Sequence, residues 1–151
     1  MREYSSSIDI EAPPSVVWDI LSDVERWPNW TPTVTRLTKL TPGPLAVGMV
    51  ARIIQPKLPP GIWRVTEIHN GHDFTWVNHT IGLRVIGSHV VDPLPTGDSR
   101  VTVSIRFVGL LAPMVGLLVR RLNEDYVATE TKSLKARSEA SVIAPPLRTA
   151  R

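Results

Sequence analysis

The chain has 4 histidines, at positions 69, 72, 79 and 89, and these are its best candidates for moving protons near neutral pH. His89 stands apart from the others. It lies mid-strand in Val85-Ile86-Gly87-Ser88-His89-Val90-Val91, with apolar neighbours two positions away on each side. On an inward face it can act as a general acid or base, or it can be a buried ring hydrogen-bonded to a Tyr, a Ser or a carbonyl. Tyr126 and Glu67 are the residues that can assist it, so the catalytic candidates are His89, Tyr126 and Glu67. Strand parity puts His79 on the opposite face from Trp76. His69 and His72 flank Asn70-Gly71, a hairpin tip that offers no third or fourth ligand, so no metal site is predicted. There is no HExxH, no glycine-rich phosphate loop, no nucleophile elbow and no pair of catalytic carboxylates. No cofactor is expected. With Cys 0, disulfides, thiolate metal sites and a cysteine nucleophile are excluded.

The remaining candidates are shaped for burial and not for reaction. Trp63, Val65, Phe74, Trp76, Asn78, Val85, Val103 and Ile105 share inward parity with His89, and Leu118, Leu122 and Tyr126, with Met114, form a facing helical wall. Trp and Tyr pair an apolar body with one polar tip, which suits orienting an apolar ligand. Trp27 and Trp30 are expected to plug one end of such a cavity or to pack beneath a short helix.

Regular elements must position these side chains. Residues 3–11 alternate Tyr4, Ser6, Ile8 and Ile10 with polar residues, as a half-buried strand does. Pro13-Pro14 opens a helix whose Val17, Leu21 and Val24 keep helical spacing, and Trp27-Pro28 ends it. A second short helical piece is predicted at 24–27. Strands follow at 34–40, 47–55, 62–69, 74–80, 83–91 and 100–108, joined by turns such as Asn70-Gly71. One amphipathic helix over 113–138 closes the fold, about 39 Å long at ~1.5 Å per residue. Arg121, Glu124, Asp125, Glu130, Lys132 and Lys135 are assigned to its polar face. Residues 1–143 form a single domain in this reading, and 144–151 a flexible tail.

The order of these parts resembles the START-like helix-grip superfamily, and within it the bacterial polyketide cyclase/dehydrase and lipid-transport family. Ala12-Pro13-Pro14-Ser15-Val16-Val17-Trp18 with Trp27-Pro28-Asn29-Trp30 carries the resemblance, together with Trp63-Arg64-Val65-Thr66-Glu67 and Phe74-Thr75-Trp76. So do Gly87-Ser88-His89 before Pro93 and Ser99-Arg100-Val101-Thr102-Val103. The resemblance covers roughly residues 3 to 140. It implies an α+β fold: a seven-stranded antiparallel curved sheet wrapped around a long C-terminal helix, with two short helices after the first strand. It also implies a deep apolar pocket, but no single chemistry.

Composition narrows the partners. Of 151 residues, 42% are hydrophobic and 21% charged, as in an ordinary globular domain. Lys+Arg 17 against Asp+Glu 14 gives +3, with no basic stripe interleaved with aromatics, so no nucleic-acid partner is expected. The longest apolar run, 108–119, is interrupted by Gly109, Pro113 and Gly116 and falls short of the ~20 residues of a membrane span, so no stable membrane insertion is expected. The N-terminus has no apolar signal region. A cytoplasmic location, as a monomer or homodimer, is expected. Three functions fit: binding of a small hydrophobic molecule such as a lipid or polyketide-like compound; a cyclase, aromatase or dehydratase using an inward His with a Tyr or Glu; and a protein-assisting module.

Overall fold

A computed structural model describes residues 2–143; the expected tail at 144–151 lies outside the described residues. Seven strands form one antiparallel sheet: β1 (Arg2–Ile10), β2 (Arg36–Lys39), β3 (Val50–Ile54), β4 (Gly61–His69), β5 (Asp73–Thr80), β6 (Leu83–Pro93) and β7 (Ser99–Val108). The spatial order is β1-β7-β6-β5-β4-β3-β2. Strands β2 to β7 are a meander of successive neighbours. β1 closes it by pairing with β7, Tyr4 opposite Ile105 and Ile8 opposite Val101. Asn70-Gly71 turns β4 into β5 with Gly71 at φ 84, a conformation open to glycine at no steric cost.

Between β1 and β2 lie helix α1 (Pro14–Ser22) and a 3-10 helix (Val24–Asn29). Prolines at the start of α1 preset its first turn, and its Val17, Trp18 and Leu21 are buried. The curved sheet, α1 and the C-terminal helix enclose one main core that includes Ile10, Leu21, Phe74, Val91, Val101, Val103 and Leu134. A smaller cluster of Tyr4, Phe107 and Ala112 continues it at one end. The architecture is the helix-grip arrangement expected from the sequence.

The C-terminal helix corrects one expectation. It is two helices, α2 (Ala112–Leu118) and α3 (Arg120–Ile143), with Val119 at the junction. The Tyr4 hydroxyl donates to the Gly116 carbonyl at 2.5 Å. An unbroken helix would use that carbonyl for the N–H of Arg120. α3 is fixed to β1 by Ser6 Oγ and Thr131 Oγ1 at 2.9 Å, and by Lys135 Nζ donating to the Asp9 carbonyl at 3.0 Å.

Candidate functional site

The site begins at His89 on β6, which is 3% exposed. Alternation along β6 turns it to the core side with Val85, Gly87 and Val91, while Arg84 points outward. Phe74, its cross-strand partner on β5, stacks on the imidazole with ring centroids 4.4 Å apart. Trp27 and Trp76 pack edge-on at 5.2 and 5.7 Å. Trp27 is held by its own Nε1, which donates to the Leu21 carbonyl at 2.9 Å. The imidazole is therefore caged by three aromatic rings.

The open side of the cage faces Glu130 on α3. His89 Nε2 and Glu130 Oε1 are 3.2 Å apart, and Glu130 is 8% exposed. Their angles fall outside hydrogen-bond geometry. His89 Nδ1 and Glu130 Oε1 are both buried with no hydrogen-bond partner among the described residues. Two titratable groups thus meet in an apolar cage with polar capacity unmet, an arrangement rare in a purely structural core.

Beside this pair is an inner chamber of about 40 Å³, lined by Trp27, Val34, Ile53, Gln55, Trp63, Trp76, Gly87, Val103 and Ile105 as well as His89 and Glu130. That is room for a few water-sized groups. Gly87 makes the room: a Cβ there would lie 2.9 Å from Trp76 Nε1 and 3.6 Å from Trp63 Cζ3. An outer chamber of about 340 Å³ adjoins it, sharing Gln55, Trp63 and Ile105. Its walls are Leu58, Pro59 and Pro60 from the β3–β4 connection, Gly61, Asn78, Thr80, Leu83, Val85 and Phe107 from the sheet, Val115 and Asn123 from the helices, and Val119 from their junction. The lining is mostly apolar, and the nearby polar groups are tied down. Asn78 Nδ2 donates to the Ile62 carbonyl at 3.0 Å, and Gln55 Nε2 to the Thr33 carbonyl at 3.2 Å.

The family assignment follows from the whole chain. The family model for polyketide cyclase/dehydrase and lipid transport matches residues 1–139. The chain belongs to that family. No curated protein matches this member of the family at the sequence level. Among solved structures, TTHA0849 from Thermus thermophilus is similar with a TM-score of 0.74 at 18% identity, over 93% of this chain and 99% of that one. A START superfamily protein from Mycobacterium smegmatis gives 0.74 at 18% identity, covering 92% and 98%. The Zhui aromatase/cyclase from Streptomyces sp. R1128 gives 0.71 at 17%, covering 95% and 96%. At these identities the likeness carries the fold.

Within that fold the predicted site residues separate. Trp63, Trp76, Val103 and Ile105 line the inner chamber with His89; Trp63, Asn78, Val85 and Ile105 line the outer one. Val65 and Phe74 are fully packed core beside the chambers. Four expected positions fall elsewhere. Glu67 lies on the outer face of β4, near His69 at 3.9 Å, because a bulge between Val65 and Glu67 reverses the parity of the strand. Ile68 takes the inward position instead, opposite Phe74. Leu118 is 76% exposed, and Leu122 lines neither chamber. Tyr126 also lines neither; its hydroxyl donates to the Pro56 carbonyl, holding the β3–β4 connection against α3, and burial raises its pKa.

The helical wall is Val115, Val119, Asn123 and Glu130, one position out of phase with the expected Leu118, Leu122 and Tyr126. Polar residues cause the offset. Asn123, Glu130 and Thr131 are buried on the inward stripe, while Met114, Leu117 and Leu118 face outward, so apolar spacing marks the wrong face. Glu130, assigned from sequence to the polar face, is the main residue missed. Its signal is the spacing of Val127, Glu130, Thr131 and Leu134, a buried stripe of mixed polarity.

Proposed function

We propose that this protein binds a small hydrophobic molecule, a lipid or polyketide-like compound, in the outer chamber, with a polar end of the ligand directed to His89 and Glu130. The outer chamber carries this reading. At about 340 Å³ it falls within the ~300–1,000 Å³ typical of ligand pockets, and Leu58, Val85, Phe107, Val115 and Val119 give it apolar walls. Burial of apolar ligand surface supplies roughly 25 cal/mol per Å², and the few fixed polar groups set orientation. The test uses the neutral fluorescent probe N-phenyl-1-naphthylamine. Val85→Trp fills the chamber and is expected to weaken probe binding on the order of tenfold or more while the fold survives. Unchanged affinity in a folded Val85→Trp protein removes the outer chamber as the site.

The caged His89–Glu130 pair favours a second reading, acid–base catalysis on the bound molecule. In a dehydration, His89 takes a proton from a carbon beside a carbonyl. The carbon–carbon double bond forms, hydroxide leaves from the next carbon, and the same proton returns to it as water. Glu130, 3.2 Å from Nε2, offsets the charge the ring gains. Fold neighbours described as aromatase/cyclase proteins support this reading. Extraction after incubation with a hydroxylated polyketide-like compound separates the two: a binding protein returns it unchanged, an enzyme returns it lighter by one water.

A further inference from the structure

Helix α2, with the Val119 junction, is apolar on both sides. Val115 and Val119 face the outer chamber. On the other side Met114, Leu117 and Leu118 are 55%, 58% and 76% exposed. The neighbouring turns extend this surface, with Leu110 94% and Ile81 97% exposed. The two segments are joined, since Leu111 N–H donates to the Gly82 carbonyl at 3.0 Å. Gly109 permits the close approach: at φ 121, a Cβ there would lie 2.6 Å from the Gly82 oxygen. A contiguous apolar surface on a globular domain marks an interaction site.

The charges around it identify the partner. Residues 108–119 contain no charged side chain, and Arg120-Arg121 follows at once. Arg84 stands opposite Val108 in the β6–β7 register, at the base of the Ile81 turn. All three arginines are exposed. Arg120 reaches Glu124 at 3.0 Å, whereas Arg84 and Arg121 have no ion-pair partner among the described residues. The exposed Asp125 stands one turn beyond Arg121, so the local charge is positive but small; an anionic bilayer neutralises it. No described helix is long and apolar enough to cross a membrane, and this segment is too short to span, so its geometry is that of an interfacial element.

We propose that the surface formed by α2 and the Ile81 and Leu110 turns docks on an anionic lipid bilayer, with the leucines at the acyl boundary and Arg84, Arg120 and Arg121 among headgroup phosphates. Docking would set the outer chamber, roofed by Val115 and Val119, directly against the membrane. The inference does not depend on the proposed ligand: it concerns the outer side of α2, and probe binding reports the inner side.

Flotation of the full chain with vesicles is the test, comparing phosphatidylcholine alone with phosphatidylcholine containing about 30% phosphatidylglycerol. The protein is expected to float with the anionic vesicles. Leu117→Ser/Leu118→Ser should lower the bound fraction on the order of tenfold. Arg84→Gln/Arg121→Gln should lower it roughly fivefold per charge removed, and added salt should do the same. These side chains are exposed, so melting temperatures should stay near wild type. If the leucine pair disturbs α2, Ile81→Ser/Leu110→Ser in the turns applies the same test. Wild-type protein that floats with neither vesicle overturns the proposal. So does flotation unaffected by the leucine and turn variants, or a surface-dependent dimer that ignores vesicles.

Discussion

His89 and Glu130 show what two residues can do in an aromatic cage. Phe74, Trp27 and Trp76 enclose the ring, and a carboxylate from a different element lies 3.2 Å from its Nε2. Removing one partner leaves the other buried alone, which is costlier than removing both. The expected result of a double-mutant cycle with His89→Leu and Glu130→Leu is therefore non-additive: each single change destabilises, and the double variant recovers part of the sum, with a coupling of about 0.5–3 kcal/mol. Urea unfolding of the four proteins measures it, and additive losses would mean that the two side chains do not interact. Of this pair, His89 was legible in the sequence because period-two alternation places it among inward residues. Glu130 was not, because a glutamate on a helix surrounded by Thr129, Thr131 and Lys132 reads as solvent-facing. Its one local sign is the helical spacing of the buried Val127 and Leu134 on either side.

At the scale of elements, alternation was the reliable signal and its interruptions were the unreliable ones. The inward sets Val101, Val103 and Ile105 on β7 and Val85, Gly87 and His89 on β6 follow simple parity because those strands pair without a break. β4 does not, and its bulge moves Glu67 out of the site by a rule no local composition announces. The helical wall was misphased for a related reason: the residues that line the chambers are partly polar, and those that face solvent are leucines. Gly87 is the element-level feature with the sharpest consequence. Its missing side chain lets the Trp76 indole lie against β6, so Gly87→Ala must displace Trp76 or bend the strand. A loss of about 1–3 kcal/mol is expected from such overpacking, with the inner chamber narrowed. A urea midpoint equal to wild type would show that Trp76 has space to yield.

For the whole molecule, the end of the sheet opposite α2 carries a pH dependence. His69 sits above its ordinary 6.5 through its hydrogen bond to Asp73, and His72 through those to Asp92 and Asp73. Burial pushes the Asp73 pKa up, but the hydrogen bonds to the two histidines outweigh it and hold the carboxyl below its ordinary 3.8. Raised histidine values mean stabilisation that is complete below pH 6.5 and fades as pH climbs through them; the lowered carboxyl contributes above 3.8 and fades on acidification. The cluster is therefore most stabilising between about pH 4 and about pH 6.5, and modest in size because both rings are largely in water. Wild-type melting temperature should fall from about pH 6 to about pH 8.5 more than that of His69→Gln/His72→Gln; parallel curves would rule the cluster out. The pairing of β1 with β7, and of β1 with α3, has a different consequence, for biosynthesis. Within this domain β1 is made before β7 and well before α3, Ser6 and Thr131 lying 125 residues apart. Until β7 emerges from the ribosome β1 lacks its strand partner, and until α3 follows the concave face of the sheet has no helix to cover it. Until then the nascent domain carries an open sheet edge and bare aromatic rings, the state that chaperones shield, and its folding is committed only once α3 has been made.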